Sequence, residues 1–328
     1  MHAALVRSGS IDSSERIVSM RPLSGGVSSQ ILKIDLDTRS LCAKRALAKL
    51  RVDSDWQVPV ERNEYEYRWL QTVAGIHADA VPAVYGRDAE SGLFAMQYLP
   101  PEQYPCWKQE LYEGRVDAQF AVQVGDRLGA IHAATAGRPD LAECFASDQI
   151  FYAIRLSPYL ESTACVHADL AHVIRALVDI TSQTRLALVH GDVSPKNILV
   201  GARGPMFIDA ECAWYGDPAF DLAFCLNHLL LKCLWVPNAV AALTDSYRRL
   251  YEAYRLHVTW EPVEALERRT AHLLPALALA RIDGKSPVEY LTGAVNIERV
   301  RRCARAMLTE PSAHIERILE QWCSEVVS

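Results

Sequence analysis

An α+β fold in two unequal lobes is predicted by three features of the 328-residue sequence. The first hundred residues alternate short β-type runs with turns, and the remainder reads as a succession of amphipathic helices. The double proline Pro100-Pro101 separates the two textures, because it continues neither a helix nor a central strand.

Residues 16–21 read as the first strand. Residues 29–36 alternate Ile31, Ile34 and Leu36 with Lys33 and Asp35, the period of a half-buried strand, and 40–45 supply a third. The turns Ser24-Gly25-Gly26 and Asp37-Thr38-Arg39 join these runs, so an antiparallel sheet is expected. A helix is expected over 58–73, closed by Gly75, followed by strands at 81–85 and 93–98. Beyond the prolines, residues 118–135 place Phe120, Val124, Leu128 and Ile131 on one helical stripe. Further helices are expected near 149–160, 168–187, 219–234, 238–257, 261–282, 286–309 and 312–326. Residues 187–208 form a strand-rich interruption between two of them.

Composition excludes several classes. Half of the residues are hydrophobic and 23% charged, too apolar for intrinsic disorder, and no apolar run approaches the roughly 18 residues of a membrane span. The first residues, from Met1 to Arg7, lack the charged-then-apolar order of a secretory leader, so a cytoplasmic protein is expected. Residues 1–100 carry 12 basic and 12 acidic side chains, and the rest carry 22 and 28, so the net charge of -6 belongs to the second lobe. Nucleic acid is a poor partner for such a surface. The nine cysteines are odd in number and contain no Cys-x-x-Cys, which reads as reduced, mostly buried thiols. Cys165, His167, Asp169 and His172 match no metal-ligand spacing and read as a polar helix surface.

The chemistry concentrates in His190-Gly191-Asp192-Val193-Ser194-Pro195-Lys196-Asn197, which follows the apolar run at 186–189, and in Asp209, which closes a second apolar run. Loops held by rigid strands are where reacting groups usually sit. Phosphoryl transfer from a nucleotide needs a carboxylate at the acceptor hydroxyl, an amide and a second carboxylate on Mg²⁺, and a lysine on the phosphates. Asp192, Asn197, Asp209 and Lys44 supply one candidate for each role.

The pattern His-Gly-Asp-x-x-x-x-Asn, the Asp209 twelve residues later, and Gly216-Asp217-Pro218-Ala219-Phe220-Asp221-Leu222-Ala223 together resemble the aminoglycoside phosphotransferase and choline kinase group. The resemblance implies a bilobal protein-kinase-like fold that phosphorylates small molecules. Residues 1–99 would then be a nucleotide-binding lobe, and 100–328 a helical lobe with the catalytic loop and acceptor site. It implies Asp192 as catalytic base, Asn197 and Asp209 as metal ligands, and ATP and Mg²⁺ as cofactors. His190 would pack the loop, and Asp221 would brace it from the following helix. The turn at 23–29 resembles the family's phosphate-covering loop through Ser24, Gly25, Gly26 and Ser28. Lys44 stands where the family keeps its phosphate-binding lysine, and Glu66 is its implied helix partner, with Glu64 as the alternative. Gln97 and Leu99 fall at the inter-lobe hinge, where backbone groups would meet the adenine.

Three departures separate the sequence from protein kinases: Gly191 in place of the arginine of His-Arg-Asp, Asp209-Ala210-Glu211 in place of Asp-Phe-Gly, and no Ala-Pro-Glu. A non-catalytic nucleotide-binding scaffold is the other alternative, although it usually lacks one of Lys44, Asp192, Asn197 or Asp209. The expected acceptor is a small hydroxylated molecule, an aminoglycoside, amino alcohol or sugar, and the acidic second lobe leans toward a cationic one. Trp214 and Tyr215 read equally as pocket or core residues. The segment 281–287 reads as a turn around Asp283-Gly284 that could reach the acceptor.

Overall fold

The computed structural model describes residues 1–23, 29–47 and 58–327. Helix α1 (His2–Arg7) leads into strands β1 (Ile17–Pro22), β2 (Ser29–Leu36) and β3 (Ser40–Ala46), helix α2 (Arg62–Ile76), and strands β4 (Val84–Asp88) and β5 (Leu93–Gln97). The strands form one antiparallel sheet in the order β1-β2-β3-β5-β4. Ile34, Leu36, Leu41, Ala43, Leu93 and Ala95 pack with Leu5 and Ile11 of the N-terminal segment into a small core. Because successive side chains alternate across a strand, Lys44 faces away from this core, toward α2. Glu66, Trp69, Leu70 and Val73 of α2 are all buried, an i, i+3, i+4, i+7 stripe in which the carboxylate takes an apolar position.

The helical lobe begins with α3 (Trp107–Tyr112), α4 (Ala118–Thr135) and α5 (Pro139–Cys144). Helix α6 (Asp148–Phe151) widens into π-helical turns over Tyr152–Glu161 and closes as α7 (Ser162–Val166), followed by α8 (Ala171–Gln183). The wide turns contain Pro158, which has no N–H to donate to an α-helical ladder. Two antiparallel pairs come next: β6 (Ala187–Val189) with β9 (Trp214–Gly216), and between them the hairpin of β7 (Ile198–Gly201) with β8 (Gly204–Phe207). Helices α9 (Pro218–Trp235), α10 (Val240–Arg255), α11 (Val263–Asp283), α12 (Ala294–Thr309) and α13 (Ile315–Trp322) complete the chain.

Every residue of α9 from Pro218 to Cys233 is buried, as expected of a helix apolar on all sides. Asp217 caps its N-terminus and receives two hydrogen bonds from Arg269 of α11, at 2.9 and 3.1 Å. Among the described residues no single helix is long and apolar enough to cross a membrane. The helix expected over 286–309 starts only at Ala294, because Pro287 and Gly293 interrupt it and Lys285 N–H turns back to the Pro158 carbonyl, 3.0 Å away.

Helices α4 and α10 approach closely through Gly125 and Gly129. A Cβ on Gly125 would lie 2.1 Å from the Leu250 carbonyl oxygen, whereas one on Gly75, exposed in α2, would meet nothing within 4 Å. Gly125→Ala is therefore expected to destabilise the protein by about 1–3 kcal/mol through overpacking. Gly75→Ala should stabilise it by about 0.5–1 kcal/mol through helix propensity. Urea unfolding midpoints of the two variants check the opposite signs.

Candidate active site

Strand β6 is three residues long and fully buried, and the chain leaves it at His190 into a loop held from behind. Gly191 has φ +77°, and a Cβ there would lie 2.6 Å from the Cys212 carbonyl oxygen, so glycine is required. Asp221 of α9, wholly buried, accepts the backbone N–H groups of His190 at 2.7 Å and Gly191 at 2.8 Å, with His132 Nε2 at 3.3 Å. His190 Nδ1 accepts from Asp192 N–H at 3.1 Å, which leaves Nε2 as the donor to the Ile208 carbonyl at 3.0 Å. Burial pushes the His190 pKa down, consistent with this neutral tautomer, and the Trp69 ring meets the imidazole edge-on at 4.8 Å.

The Asp192 carboxylate is buried among three donors. Its Oδ2 lies 2.8 Å from Arg155 Nη2, 3.1 Å from Lys196 Nζ and 2.8 Å from Asn197 Nδ2. Burial alone would raise its pKa, but Arg155 and Lys196 outweigh that and hold it below the ordinary carboxylate value. Asn197 also donates Nδ2 to the Asp192 carbonyl at 3.1 Å. Its Oδ1 has no protein donor among the described residues.

Asp209 follows β8 with φ +67°, the one non-glycine residue of positive φ among the described residues. This left-handed turn is sterically costly outside glycine and is held by its surroundings. Lys44 Nζ bonds Asp209 Oδ1, and also contacts both oxygens of Glu66, at 2.8 and 2.7 Å. Against the cost of burial, Asp209, Glu66 and Glu211 keep Lys44 protonated. Lys44 and Lys196 likewise overcome burial to keep Asp209 ionised. Burial dominates at Glu66 and pushes it up to about 7 in spite of Lys44. Glu211 is tied instead to the buried Arg62, at 3.2 Å.

The structure thus brings Lys44, Glu66, Asp192, Asn197 and Asp209 together, while Glu64 turns to Arg68 and Arg87. Ser24, Gly25, Gly26 and Ser28 lie outside the described residues. Gln97 closes β5, and its backbone N–H donates to the Ala83 carbonyl at 2.7 Å. Leu99 lies beyond the strand, and no backbone partner engages it among the described residues. Trp214 and Tyr215 are core residues. The Trp214 ring stacks on Phe151 at 4.3 Å, and the Tyr215 hydroxyl donates within reach of the Thr135 and Leu186 carbonyls, at 3.1 and 3.0 Å. His167 Nε2 lies 3.0 Å from Asp283 and its Nδ1 2.9 Å from Arg305, which also holds Asp169, so these side chains tie helices together.

Sequence reasoning missed Arg155, whose Nε also donates to the Gly191 carbonyl at 2.6 Å. Its signal was an arginine on the apolar stripe Phe151, Ile154, Arg155, Pro158. It missed, too, the lining of a cleft on the far side of Lys196, where Lys108, Lys232, Arg281 and Glu289 gather. Arg281, Glu289 and Tyr290 line that cleft with Ser194, Pro195 and Lys196, whereas Asp283, Gly284 and Lys285 of the 281–287 segment line a different cavity beside Ser157 and Glu161. The cleft beside Lys196 is opposite in charge to the lobe as a whole, because net charge sums a surface of which the cleft is a small part.

A family model for the phosphotransferase enzyme family matches residues 19–266. The chain belongs to that family. Among curated relatives, this chain is 25% identical over 222 residues to methylthioribose kinase 1 of Oryza sativa subsp. japonica, covering 60% of this chain and 52% of that protein. It is 23% identical over 290 residues to the methylthioribose kinase of Pectobacterium carotovorum subsp. carotovorum (strain PC1), covering 78% and 71%. The chain thus spans about half the length of the rice relative. A choline/ethanolamine kinase family protein from Mesorhizobium loti superposes with a TM-score of 0.54 at 15% identity, covering 98% of this chain and 99% of that one. Spectinomycin phosphotransferase in complex with ADP and spectinomycin gives 0.53 at 12% identity, covering 99% and 97%. These structural likenesses establish the bilobal, protein-kinase-like α+β fold.

The support behind the loop is open to measurement in this member of the family. Asp221→Ala leaves two buried backbone N–H groups unpaired and is expected to cost about 2–5 kcal/mol of stability by urea denaturation. Asp221→Asn, which keeps one acceptor oxygen, should cost less. His190 is held neutral, so the unfolded chain takes up its proton first as pH falls. Its contribution is complete above the ordinary histidine pKa and is lost as pH drops through the depressed one. The stability penalty of His190→Gln should therefore shrink between about pH 7.5 and about pH 5.5, and an equal penalty at both would contradict a neutral His190.

Proposed function

We propose that this chain is an ATP- and Mg²⁺-dependent kinase that transfers phosphate directly to the hydroxyl of a small molecule. The observation that carries the reading is the convergence of Lys44, Glu66, Asp192, Asn197 and Asp209 from both lobes on one cleft, linked by the Lys44 to Asp209 contact. Relatives named as methylthioribose kinases support a small acceptor. In this reading residues 1–99 hold the nucleotide and 100–328 the acceptor.

The donor set fits a hard cation. Asn197 has spent its amide N–H groups on Asp192 and keeps a carbonyl oxygen, and Asp209 keeps Oδ2 while Oδ1 serves Lys44. Two protein oxygens, with nucleotide phosphates and water for the rest, are the usual environment of Mg²⁺. Asn197 and Asp209 would hold it, and the ion would supply neutralisation of charge on the transferring phosphate. Lys44, fixed by Glu66, would bind the phosphates that stay behind. The hinge backbone at Gln97 and Leu99 would receive the base, and the turn containing Ser24, Gly25, Gly26 and Ser28 would cover the phosphates.

Asp192 faces the acceptor as an orienting base. Arg155 and Lys196 keep it weakly basic, which suits a loose transfer in which the hydroxyl loses its proton late and positioning contributes most of the rate. The scaffold alternative has less support because the four groups of the cleft are all present. A protein substrate has less support because the chain lacks the peptide-docking segments of protein kinases.

Release of ADP, measured with ATP and Mg²⁺ over aminoglycosides, amino alcohols, sugars and hydroxy acids, tests the reading directly. Asp192→Ala is expected to keep nucleotide affinity and lose about a hundredfold or more in turnover. Parental turnover would remove Asp192 from its role. Asp209→Asn should abolish the Mg²⁺ dependence of ATP binding in calorimetry, and an unchanged Mg²⁺ titration would count against Asp209 as a ligand.

A further inference from the structure

A narrow cleft opens beside the catalytic loop, bounded by Ser194 and Lys196 of that loop, Lys232 of α9, Arg281 of α11, and Tyr290 in the segment before α12. It adjoins Asp192 directly, since Lys196 Nζ lies 3.1 Å from Asp192 Oδ2. Four cations face it against a single carboxylate, Glu289, and that one is taken by Lys108.

Two of the cations lack a counter-charge. Lys232 is 1% exposed and Arg281 8%, and neither has a carboxylate at ion-pair distance among the described residues. Lys232 Nζ rests only on aromatic faces, 4.5 Å from the Tyr290 ring centre and 4.9 Å from that of Trp235. Arg281 spends Nη1 on the Tyr159 hydroxyl and on Ser286, but its Nε is buried without a hydrogen-bond partner, as are Ser194 Oγ and the Tyr290 hydroxyl. Buried charges in proteins are paired, and buried donors are bonded. A cleft that gathers two cations without a counter-charge, one of them with an unspent Nε–H, and two unspent hydroxyls is complementary to an anion.

We propose that this cleft binds a compact oxyanion of the acceptor, so that the phosphorylated hydroxyl belongs to a small molecule also carrying a carboxylate or a phosphate. The inference rests on the kinase reading, and it reverses the cationic acceptor suggested by the acidity of the lobe. The electrostatics of the surrounding groups agree with it. Burial pushes Lys232 down to about 7, with Lys108 adding to the effect, and His228 beside it is driven well below its ordinary value by burial and by Arg281, Lys232, Lys196 and Lys108. A bound anion relieves both. The enclosed volume, about 30 Å³, accommodates one small group, which leaves the hydroxylated remainder directed past Lys196 toward Asp192.

The test compares acceptors that share a skeleton and differ in charge: glycerate and glycerol phosphate against glycerol, gluconate against glucose, and ethanolamine as the cationic arm. With ATP and Mg²⁺, the anionic members are expected to exceed their neutral counterparts by about a hundredfold or more in kcat/KM, because a neutral acceptor leaves the buried polar groups unpaired. The two glycerol derivatives distinguish carboxylate from phosphate. Lys232→Met, close in shape, should raise the KM of the anionic acceptor at least tenfold more than that of ATP. Tyr290→Phe removes a single oxygen and serves where Lys232→Met does not fold.

A second arm needs no turnover. Malonate or inorganic phosphate is titrated into the protein with ADP and Mg²⁺ while tryptophan fluorescence is monitored, since Trp235 lies against Lys232. A saturable change that disappears in Lys232→Met supports the proposal. Equal or better turnover of glycerol, glucose or ethanolamine, or a titration identical in parent and variant, overturns it. Saturable anion binding at the cleft with no ADP release from any acceptor would instead overturn the kinase reading and leave the anion site standing.

Discussion

One ammonium group, Lys44 Nζ, holds the two lobes in register at the cleft. It is shared between Glu66 of α2 and Asp209 after β8, so a strand, a helix and a loop 165 residues away meet on a single charge. In a site this dry the arrangement contributes more through what its loss would cost than through its own attraction. Removing one partner from a buried ion pair leaves the other desolvated, a penalty of about 3–5 kcal/mol. The left-handed backbone at Asp209 belongs to the same constraint, because the turn aims Oδ1 at Lys44 and the ion pair offsets the strain.

Behind this charge cluster stands an almost entirely backbone-directed support. Asp221 reaches from the central helix to grip the amides of His190 and Gly191, and His190 in turn ties the loop to the Ile208 carbonyl, one residue before Asp209. The groups proposed to meet substrate and the groups that hold them are therefore largely separate sets, and Asp221 of the supporting set sits on the wholly buried stretch of α9. Arg155 links the two. It fixes the Gly191 carbonyl through Nε and sets the basicity of Asp192 through Nη2.

Local pattern made much of this legible. The alternation at 29–36 and the stripe at 118–135 correspond to elements with those same bounds, because each is decided by its own period against one core. The motif around Asp192 announced a loop because polar residues succeeded a short apolar run. Other parts depend on distant chain. Nothing near Lys232 or Arg281 in sequence says that they converge beside Ser194, and each instead looked like the end of an apolar run. The short helices α1, α3 and α5 have at most six residues each, too few for a period to register. The strand expected at 93–98 stops at Gln97, where its pairing with β3 ends.

The widened turns at Tyr152–Glu161 have a consequence for how the lobe tolerates change in length. A π-helical stretch carries surplus residues relative to an α-helix, and each residue gained or lost rotates the downstream chain by about 100°. Arg155 and the Pro158 carbonyl that receives Lys285 lie within one such stretch, so their relative bearing is a matter of helical phase. Losing a single residue there would keep nearly every side chain and still separate the neighbour of Asp192 from the anchor of the segment that carries Tyr290. Length, at this point in the chain, is a physical variable in its own right.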